Sequence, residues 1–291
     1  MGNCLWEKRT EMRDAILITG GTGKTGSRLV EVLRDRGIEA RIASRSPRGE
    51  RAVRFEWHER ATFADALARV RAVYLVAPTD TTSSLAAMRP FLEEAIHVGV
   101  TRFVLLSASS LEEGGPMMGA VHAFLKCHAP HWVVLRPTWF MQNFSQGPHA
   151  ATIREEGAIY SATEEGRVPF IHTRDIALVA AQALTDPSLP STETLLTGPQ
   201  AFSYDDVARL LSRSLGREIS HRRLSEEQLA ARHEQGGLPP EYARILAAMD
   251  TAISRNAEDK VTNEVQRITA SNPVAFESFV EEERAVWNPA L

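Results

Sequence analysis

The sequence of 291 residues predicts an α/β protein built on a doubly wound parallel sheet. Short apolar runs alternate with helical patterns through the first half of the chain, and a glycine-rich turn directly follows the first apolar run. Strands that alternate with helices pair in parallel, because right-handed helical crossovers return the chain to the same edge of the sheet.

The first strand and helix are the clearest elements. The run "AILIT" (15–19) is continuously apolar, as expected of a strand that is buried on both faces. Residues 26–37 follow as an amphipathic helix in which Leu29 and Leu33 share one face and Gly37 marks the C-terminal end. Further strands are predicted at residues 39–46, 52–59, 71–78, 101–109 and 131–137, with helical patterns between most of them, for example at 83–97.

After about residue 138 the chain changes character, and glycine, proline and aromatic residues lie among shorter elements. Residues 157–172 have the pattern of extended pieces, and Asp175 is expected to cap a helix at 176–185. Four further helices are predicted at 203–215, 225–235, 240–255 and 273–287.

Composition and charge argue against several classes of function. A net charge of -4 and a pI near 6.2 disfavour a dedicated surface for nucleic acid or anionic membrane. Two cysteines form no disulfide framework, and no apolar run approaches the roughly 20 residues of a membrane span. His128 and His131 flank Pro130 without an obvious third ligand, which indicates a loop and not a metal site. We expect a cytoplasmic protein that acts on a small molecule, in an oligomeric state (a homodimer included) that the sequence leaves open.

Two phosphate-binding motifs overlap in "ILITGGTGKTG" (16–26). A P-loop would need a glycine five positions before the glycine of its final Gly-Lys-Thr, and the chain has Ile18 there. Glycines at a three-residue spacing between a strand and a helix instead suit a dinucleotide pyrophosphate, which the helix N-terminus attracts. The predicted dinucleotide site comprises Gly20, Thr22, Gly23, Lys24, Thr25 and Gly26.

The end of the second strand indicates which dinucleotide binds. An NAD site usually has an acidic residue there for the ribose hydroxyl, whereas this chain has Ser44, Arg45 and Ser46. An arginine suits the 2′-phosphate of NADP(H), and the alternative is a solvated charge at the strand end. Loops after the later strands meet the same edge of the sheet and complete the predicted cofactor site with Ala77, Pro78, Ser107, Ala108, Ser109 and Pro137.

A tyrosine is missing where a short-chain reductase usually carries its Tyr-x-x-x-Lys acid pair, since residues 107–130 contain none. His122 and Lys126 share that spacing, and His122 is either a pocket residue or a satisfied helix histidine. Ser107 and His122 are the candidate catalytic residues. Reducing a ketone benefits from an acid, whereas a cationic C=N⁺ needs only hydride, so the missing tyrosine favours an iminium or a quinone-like acceptor.

The segment "PTWFMQNF" (137–144) follows the sixth strand, where α/β sheets bind their ligands. Its aromatic side chains suit stacking on a flat or cationic substrate, and the alternative is ordinary core packing. His172 is expected to approach from the lid. The predicted substrate site comprises Thr138, Trp139, Phe140, Asn143, Phe144 and Phe170.

Seven motifs between about residues 15 and 185 carry a family resemblance: "GGTGKTG", "ASRS", "VYLVAP", "RFVLLSAS", "GGPMMGAVHAFL", "LRPTWFMQNF" and "IYSATEEGRVPFIHTRDIA". The sequence resembles the NmrA-like atypical short-chain dehydrogenase/reductase family, and within it the clavine reductases of ergot alkaloid biosynthesis, of the festuclavine synthase or agroclavine dehydrogenase type. The resemblance implies an NADPH-dependent reduction of an iminium in a polycyclic amine, without flavin or metal. It implies functional positions at Gly20, Gly23, Gly26, Arg45, Ser107, Ser109, Thr138, Trp139, Phe140 and Asn143.

Three regions follow from these patterns. Residues 1–13 form an N-terminal extension, residues 14–150 an NADP(H)-binding Rossmann domain, and residues 151–291 a mixed region that completes the sheet and forms a smaller, interleaved substrate-binding lid. The expected function is an NADPH-dependent imine or iminium reductase. The alternatives are an NADPH quinone reductase of the same family and a non-catalytic regulatory protein that senses NADP(H).

Overall fold

The computed structural model describes residues 15–288. The predicted N-terminal extension, residues 1–13, lies outside these described residues.

Seven parallel strands form the central sheet, in the order β3-β2-β1-β4-β5-β6-β9. Their bounds are Ala15–Ile18 (β1), Ala40–Ser44 (β2), Ala52–Arg54 (β3), Val70–Val76 (β4), Arg102–Leu106 (β5), His131–Pro137 (β6) and Thr192–Leu196 (β9). The chain builds the sheet to one side of β1 as far as β3 and then to the other side from β4, so the predicted doubly wound α/β fold is confirmed.

Helices cover both faces of the sheet and continue into a region beside the sheet that packs around Phe144, Phe170 and Trp287 and is called the lid below. Within residues 15–288 they are Lys24–Asp35 (α1), Phe63–Leu67 (α2), Ser84–His97 (α3), Met118–His128 (α4), Pro148–Glu156 (α5), Thr173–Thr185 (α6), Tyr204–Leu215 (α7), Glu226–Gln235 (α8), Pro240–Ser254 (α9), Glu264–Thr269 (α10), Phe276–Glu282 (α11) and Arg284–Trp287 (α12).

The side chains of β1 divide between two apolar layers. Leu17 packs with α2, α3 and α4, whereas Ile16 and Ile18 pack with α1 and α6 on the opposite face. Successive side chains of a strand point to opposite faces, so an unbroken apolar run can serve both layers.

A third apolar cluster holds the lid together. Phe144, Phe170, Phe276 and Trp287 are all at most 1% exposed, and the Trp287 indole Nε1 donates to the Phe144 carbonyl oxygen at 2.8 Å. Short strand pairs complete the lid: Ala158–Ser161 (β7) with Ser220–Arg223 (β11), and Arg167–Val168 (β8) with Phe202–Ser203 (β10).

Two predicted details of the C-terminal half are wrong. Asp175 does not cap its helix, because α6 begins earlier with His172 as the N-cap, whose Nδ1 accepts from the Arg174 N–H. The Asp175 carboxylate instead accepts from the Val274 N–H at 2.9 Å. The helix predicted at 273–287 is divided at Glu283 into α11 and α12.

Candidate active site

The turn between β1 and α1 needs glycine at two positions. Gly20 has φ +63°, in the left-handed region, and a Cβ there would lie 3.0 Å from the Cβ of Val76. A Cβ on Gly26 would clash with the Gly20 carbonyl oxygen and approach the Gly21 Cα to 2.8 Å. The start of α1 therefore lies directly against the turn, as the dinucleotide motif requires.

The N-terminus of α1 suits an anion. Gly23 is its N-cap, its first turn contains no acidic residue, and the first N–H groups of a helix have no acceptor within the helix. Thr22 is exposed at the turn. Thr25 is buried below it, where its hydroxyl accepts from the Tyr74 hydroxyl at 3.1 Å, so Thr25 anchors the turn to β4.

Lys24 extends from this turn towards the lid. Its Nζ donates to the Asn143 Oδ1 at 3.0 Å, and burial lowers the pKa of its ammonium. The predicted cofactor residue Lys24 and the predicted substrate residue Asn143 are therefore in direct contact.

The end of β2 presents a basic side chain to solvent. Arg45 is exposed, and among residues 15–288 no carboxylate forms an ion pair with it. Ser44 forms a local turn by accepting from the Ser46 N–H at 3.2 Å. This geometry leaves the Arg45 guanidinium available for a 2′-phosphate.

The two serines after β5 have different surroundings. The Ser107 hydroxyl is buried and, in the described part of the chain, has no hydrogen-bond partner, as expected for a group that a ligand completes. The Ser109 hydroxyl donates to the buried Glu258 carboxylate at 2.7 Å. Ala77, Pro78 and Ala108 are half-buried beside them, and Pro137 is buried at the end of β6.

A cavity of about 670 Å³ lies between the glycine-rich turn and the lid. Trp139 and Asn143 line it from the segment after β6, and Lys24 lines it from the turn. Its other walls come from α5, β7, α7, α8 and α9. The main side chains of these walls are His149, Tyr160, Tyr204, Leu229, Arg232, His233, Leu238, Tyr242, Leu246 and Asp250.

Four of the predicted substrate residues do not line this cavity. Phe144 and Phe170 are fully buried in the aromatic cluster of the lid, with ring centroids 5.1 Å apart. The Thr138 hydroxyl donates to the Pro169 carbonyl oxygen at 2.6 Å, and Phe140 forms a β-bridge with Ile171. These residues fix the backbone that carries Trp139 and Asn143.

His122, predicted as a catalytic candidate, is also not among the residues that line the cavity. It is 1% exposed, its ring centroid lies 5.3 Å from that of Trp132, and its Nδ1 is 3.9 Å from the Glu193 carboxylate. Burial lowers the pKa of this imidazole. The geometry favours a structural role for His122, which packs beside Trp132 of β6 and Glu193 of β9.

Sequence reasoning missed three tyrosines and an aspartate in the cavity. These residues are Tyr160 of β7, Tyr204 of α7, and Tyr242 and Asp250 of α9. The sequence does not show which side of each of these elements is turned towards the cavity. One signal was present: the buried positions of α9 are Ala243, Ala247, Asp250 and Ile253, so an acidic residue interrupts an apolar stripe.

Among residues 15–288, no group of three or more His, Cys, Asp or Glu side chains could hold a metal ion. None of the helices in this part of the chain has the length and apolar character needed to cross a membrane.

Comparison with known proteins shows the family to which the chain belongs. A family model described as NAD(P)H-binding matches residues 20–187, beginning at the first glycine of the turn. The chain belongs to this NAD(P)H-binding family. It is an NAD(P)H-dependent oxidoreductase.

The similar proteins have different named activities. The chain is 42% identical to an agroclavine dehydrogenase of Claviceps fusiformis over 94% of its own length and 98% of the relative's. It is 41% identical to an oxidoreductase of Bacillus subtilis (YesF) over 94% and 97%. An NADPH-dependent quinone oxidoreductase of Escherichia coli, solved with NADPH, has the same fold, with a TM-score of 0.80 at 20% identity, covering 92% of this chain and 99% of the other. The resemblance to the clavine reductases is therefore confirmed.

We predict that Gly26→Ala weakens NADPH binding by at least about tenfold, because the added methyl group pushes α1 away from the turn that holds the pyrophosphate. The dissociation constant can be measured by titrating NADPH fluorescence. Gly37→Ala is the matched control, since Gly37 has φ +69° and a Cβ there meets nothing within 4 Å. It should cost about 1 kcal/mol of stability from backbone strain alone. Equal loss of NADPH affinity in both variants would contradict the role of Gly26.

Proposed function

We propose that the protein is an NADPH-dependent reductase that delivers hydride to the iminium or imine carbon of a small cyclic or polycyclic amine. The observation that carries the proposal is the composition of the cavity, in which aromatic side chains face Lys24 of the glycine-rich turn. A flat cyclic substrate would stack on Trp139 and Tyr242 and approach the edge of the sheet where the cofactor would bind.

The chemistry suits the side chains that are present. Bound NADPH would supply a hydride, and its addition to an iminium carbon returns the C=N electron pair to nitrogen without a proton on the reacting atoms. The chain has four tyrosines, and none of them belongs to α4, the helix that follows β5. Tyr160 donates its hydroxyl proton to Glu156 at 2.7 Å, and burial raises the pKa of the Tyr204 hydroxyl. These two tyrosines are therefore poorly suited as proton donors, in keeping with an acceptor that needs no tyrosine acid.

Orientation is the main contribution of the protein in this proposal. Trp139 and Asn143 are each followed in the chain by a phenylalanine, Phe140 and Phe144, that packs into an apolar cluster and holds the backbone in place. The cavity wall is therefore fixed before the substrate binds. The protein would accelerate the reaction mainly by holding the hydride donor and the acceptor carbon roughly 3–3.5 Å apart.

The proposed preference for NADP(H) rests on Arg45. We expect Arg45→Asp to raise the KM for NADPH by about 30-fold while the KM for NADH changes by less than about threefold, since only NADPH carries the 2′-phosphate. Steady-state kinetics with both cofactors measures the two values. Arg36→Asp is the control, because this exposed arginine lies at the opposite end of α1 from the glycine-rich turn. Equal changes for the two cofactors would refute the assignment.

A substrate panel tests the proposed reaction. We expect NADPH oxidation, followed by its absorbance, with cyclic iminium ions and little with matched ketones, because a ketone requires a proton on oxygen. Trp139→Ala should lower kcat/KM for the iminium by about 10-fold through lost stacking.

The other outcomes of this panel are equally specific. Turnover of quinones without turnover of iminium ions would replace the proposal with a quinone reductase. Ketone turnover that falls steeply with rising pH would refute the argument from the missing tyrosine. Tight NADPH binding without oxidation by any member would favour a regulatory protein that senses NADP(H).

A further inference from the structure

The cavity contains one buried carboxylate. Asp250 lies on the apolar stripe of α9, is 7% exposed and lines the cavity. Its Oδ2 accepts from the Ala162 N–H at 3.2 Å. In the described chain no hydrogen bond reaches Oδ1, which leaves this oxygen available to the cavity.

Asp250 has no counter-charge among the side chains of residues 15–288, where none of the ion pairs includes it. Burial accordingly raises the pKa of its carboxyl to about 7. The Arg232 guanidinium also lines the cavity, but it pairs with Glu156 at 3.1 Å and lies 3.8 Å from the Tyr160 ring centroid. Among the described residues that line the cavity, the other side chain that is cationic at neutral pH is Lys24, which belongs to the glycine-rich turn and would face the cofactor's negative charge.

Aromatic rings surround the same space. Tyr204 lies close enough to Asp250 that the negative charge of the carboxylate helps to raise the pKa of the Tyr204 hydroxyl. Trp139, Tyr160 and Tyr242 also line the cavity. A carboxylate among aromatic faces is a favourable environment for an organic cation, which the rings attract through their π electrons and the carboxylate pairs directly.

We propose that Asp250 is the residue that selects a positively charged substrate, by pairing its carboxylate with the cationic nitrogen in the cavity. This inference rests on the proposed function, because it identifies the substrate class of that same site as organic cations. Hydride addition neutralises the iminium nitrogen, so the ion pair is stronger in the bound substrate than in the transition state. Loss of this ion pair therefore raises KM and does not lower kcat.

The chain offers a matched control in Asp175. This carboxyl is 2% exposed, accepts one backbone N–H (from Val274), and has a pKa that burial raises to about 6, but it does not line the cavity. Asp175→Asn removes a buried carboxylate of the same kind outside the cavity.

The test uses binding alone, so that it does not depend on turnover. The permanently charged N,N-dimethyltetrahydroisoquinolinium and the neutral N-formyltetrahydroisoquinoline are titrated calorimetrically into the full chain saturated with NADP⁺. We expect Asp250→Asn to weaken binding of the cation by about 30-fold and of the neutral probe by less than about threefold, as for the loss of one partner of a buried charge pair. Asp175→Asn should leave both affinities unchanged.

Two results would overturn the inference: an unchanged affinity for the cation, or equal weakening of both probes by Asp250→Asn. Asp250→Ser, which removes the charge with a smaller polar side chain, repeats the test if the asparagine variant does not fold. In a parallel assay Asp250→Asn should raise the KM of a cyclic iminium without lowering kcat. Absence of iminium turnover by the unmodified protein would refute the proposed function, while the binding comparison would still test Asp250.

Discussion

Gly26 lies against the carbonyl oxygen of Gly20, and this close packing fixes where α1 begins. The helix N-terminus is thereby brought to the carboxyl edge of the sheet, where its N–H groups can face a pyrophosphate. Lys24 extends from the same turn and donates to Asn143, which lies 119 residues further along the chain. This hydrogen bond joins the cofactor turn to the segment after β6, and the cavity lies between the two. The packing of Gly26 therefore helps to position one wall of the cavity.

The two halves of the site differ in character because different parts of the fold build them. The sheet half offers backbone N–H groups, Arg45 and the Ser107 hydroxyl, which no other described residue hydrogen-bonds, and these groups suit a polar, anionic cofactor. The lid half offers aromatic rings backed by a fully buried cluster that includes Phe144 and Phe170. Burying each such phenylalanine contributes roughly 2 kcal/mol. Core packing therefore holds the cavity wall in place, so that little of the free energy of substrate binding is lost in ordering the wall.

The sequence predicted the strands of the sheet well because their signals are local. β1, β4, β5 and β6 each contain at least four consecutive apolar residues, and the glycine spacing lies within a single turn. The edge strand β9 was not located, because "TETLL" alternates buried and more exposed positions and lacks a long apolar run. The cavity could not be predicted for a different reason. Phe170 and Tyr160 are both aromatic residues of the lid, and only tertiary packing makes the first a core residue and the second a cavity wall.

Direct hydride transfer to a carbon in this cavity is the central claim, and isotopic labelling tests it most directly. NADPH deuterated at the hydride-bearing carbon of the nicotinamide would be used to reduce a cyclic iminium, and the amine product examined by NMR and mass spectrometry. The account predicts one deuterium at the former iminium carbon, and none there when unlabelled NADPH is used in deuterium oxide. Deuterium incorporated at that carbon from the solvent, or none transferred from the labelled cofactor, would contradict it.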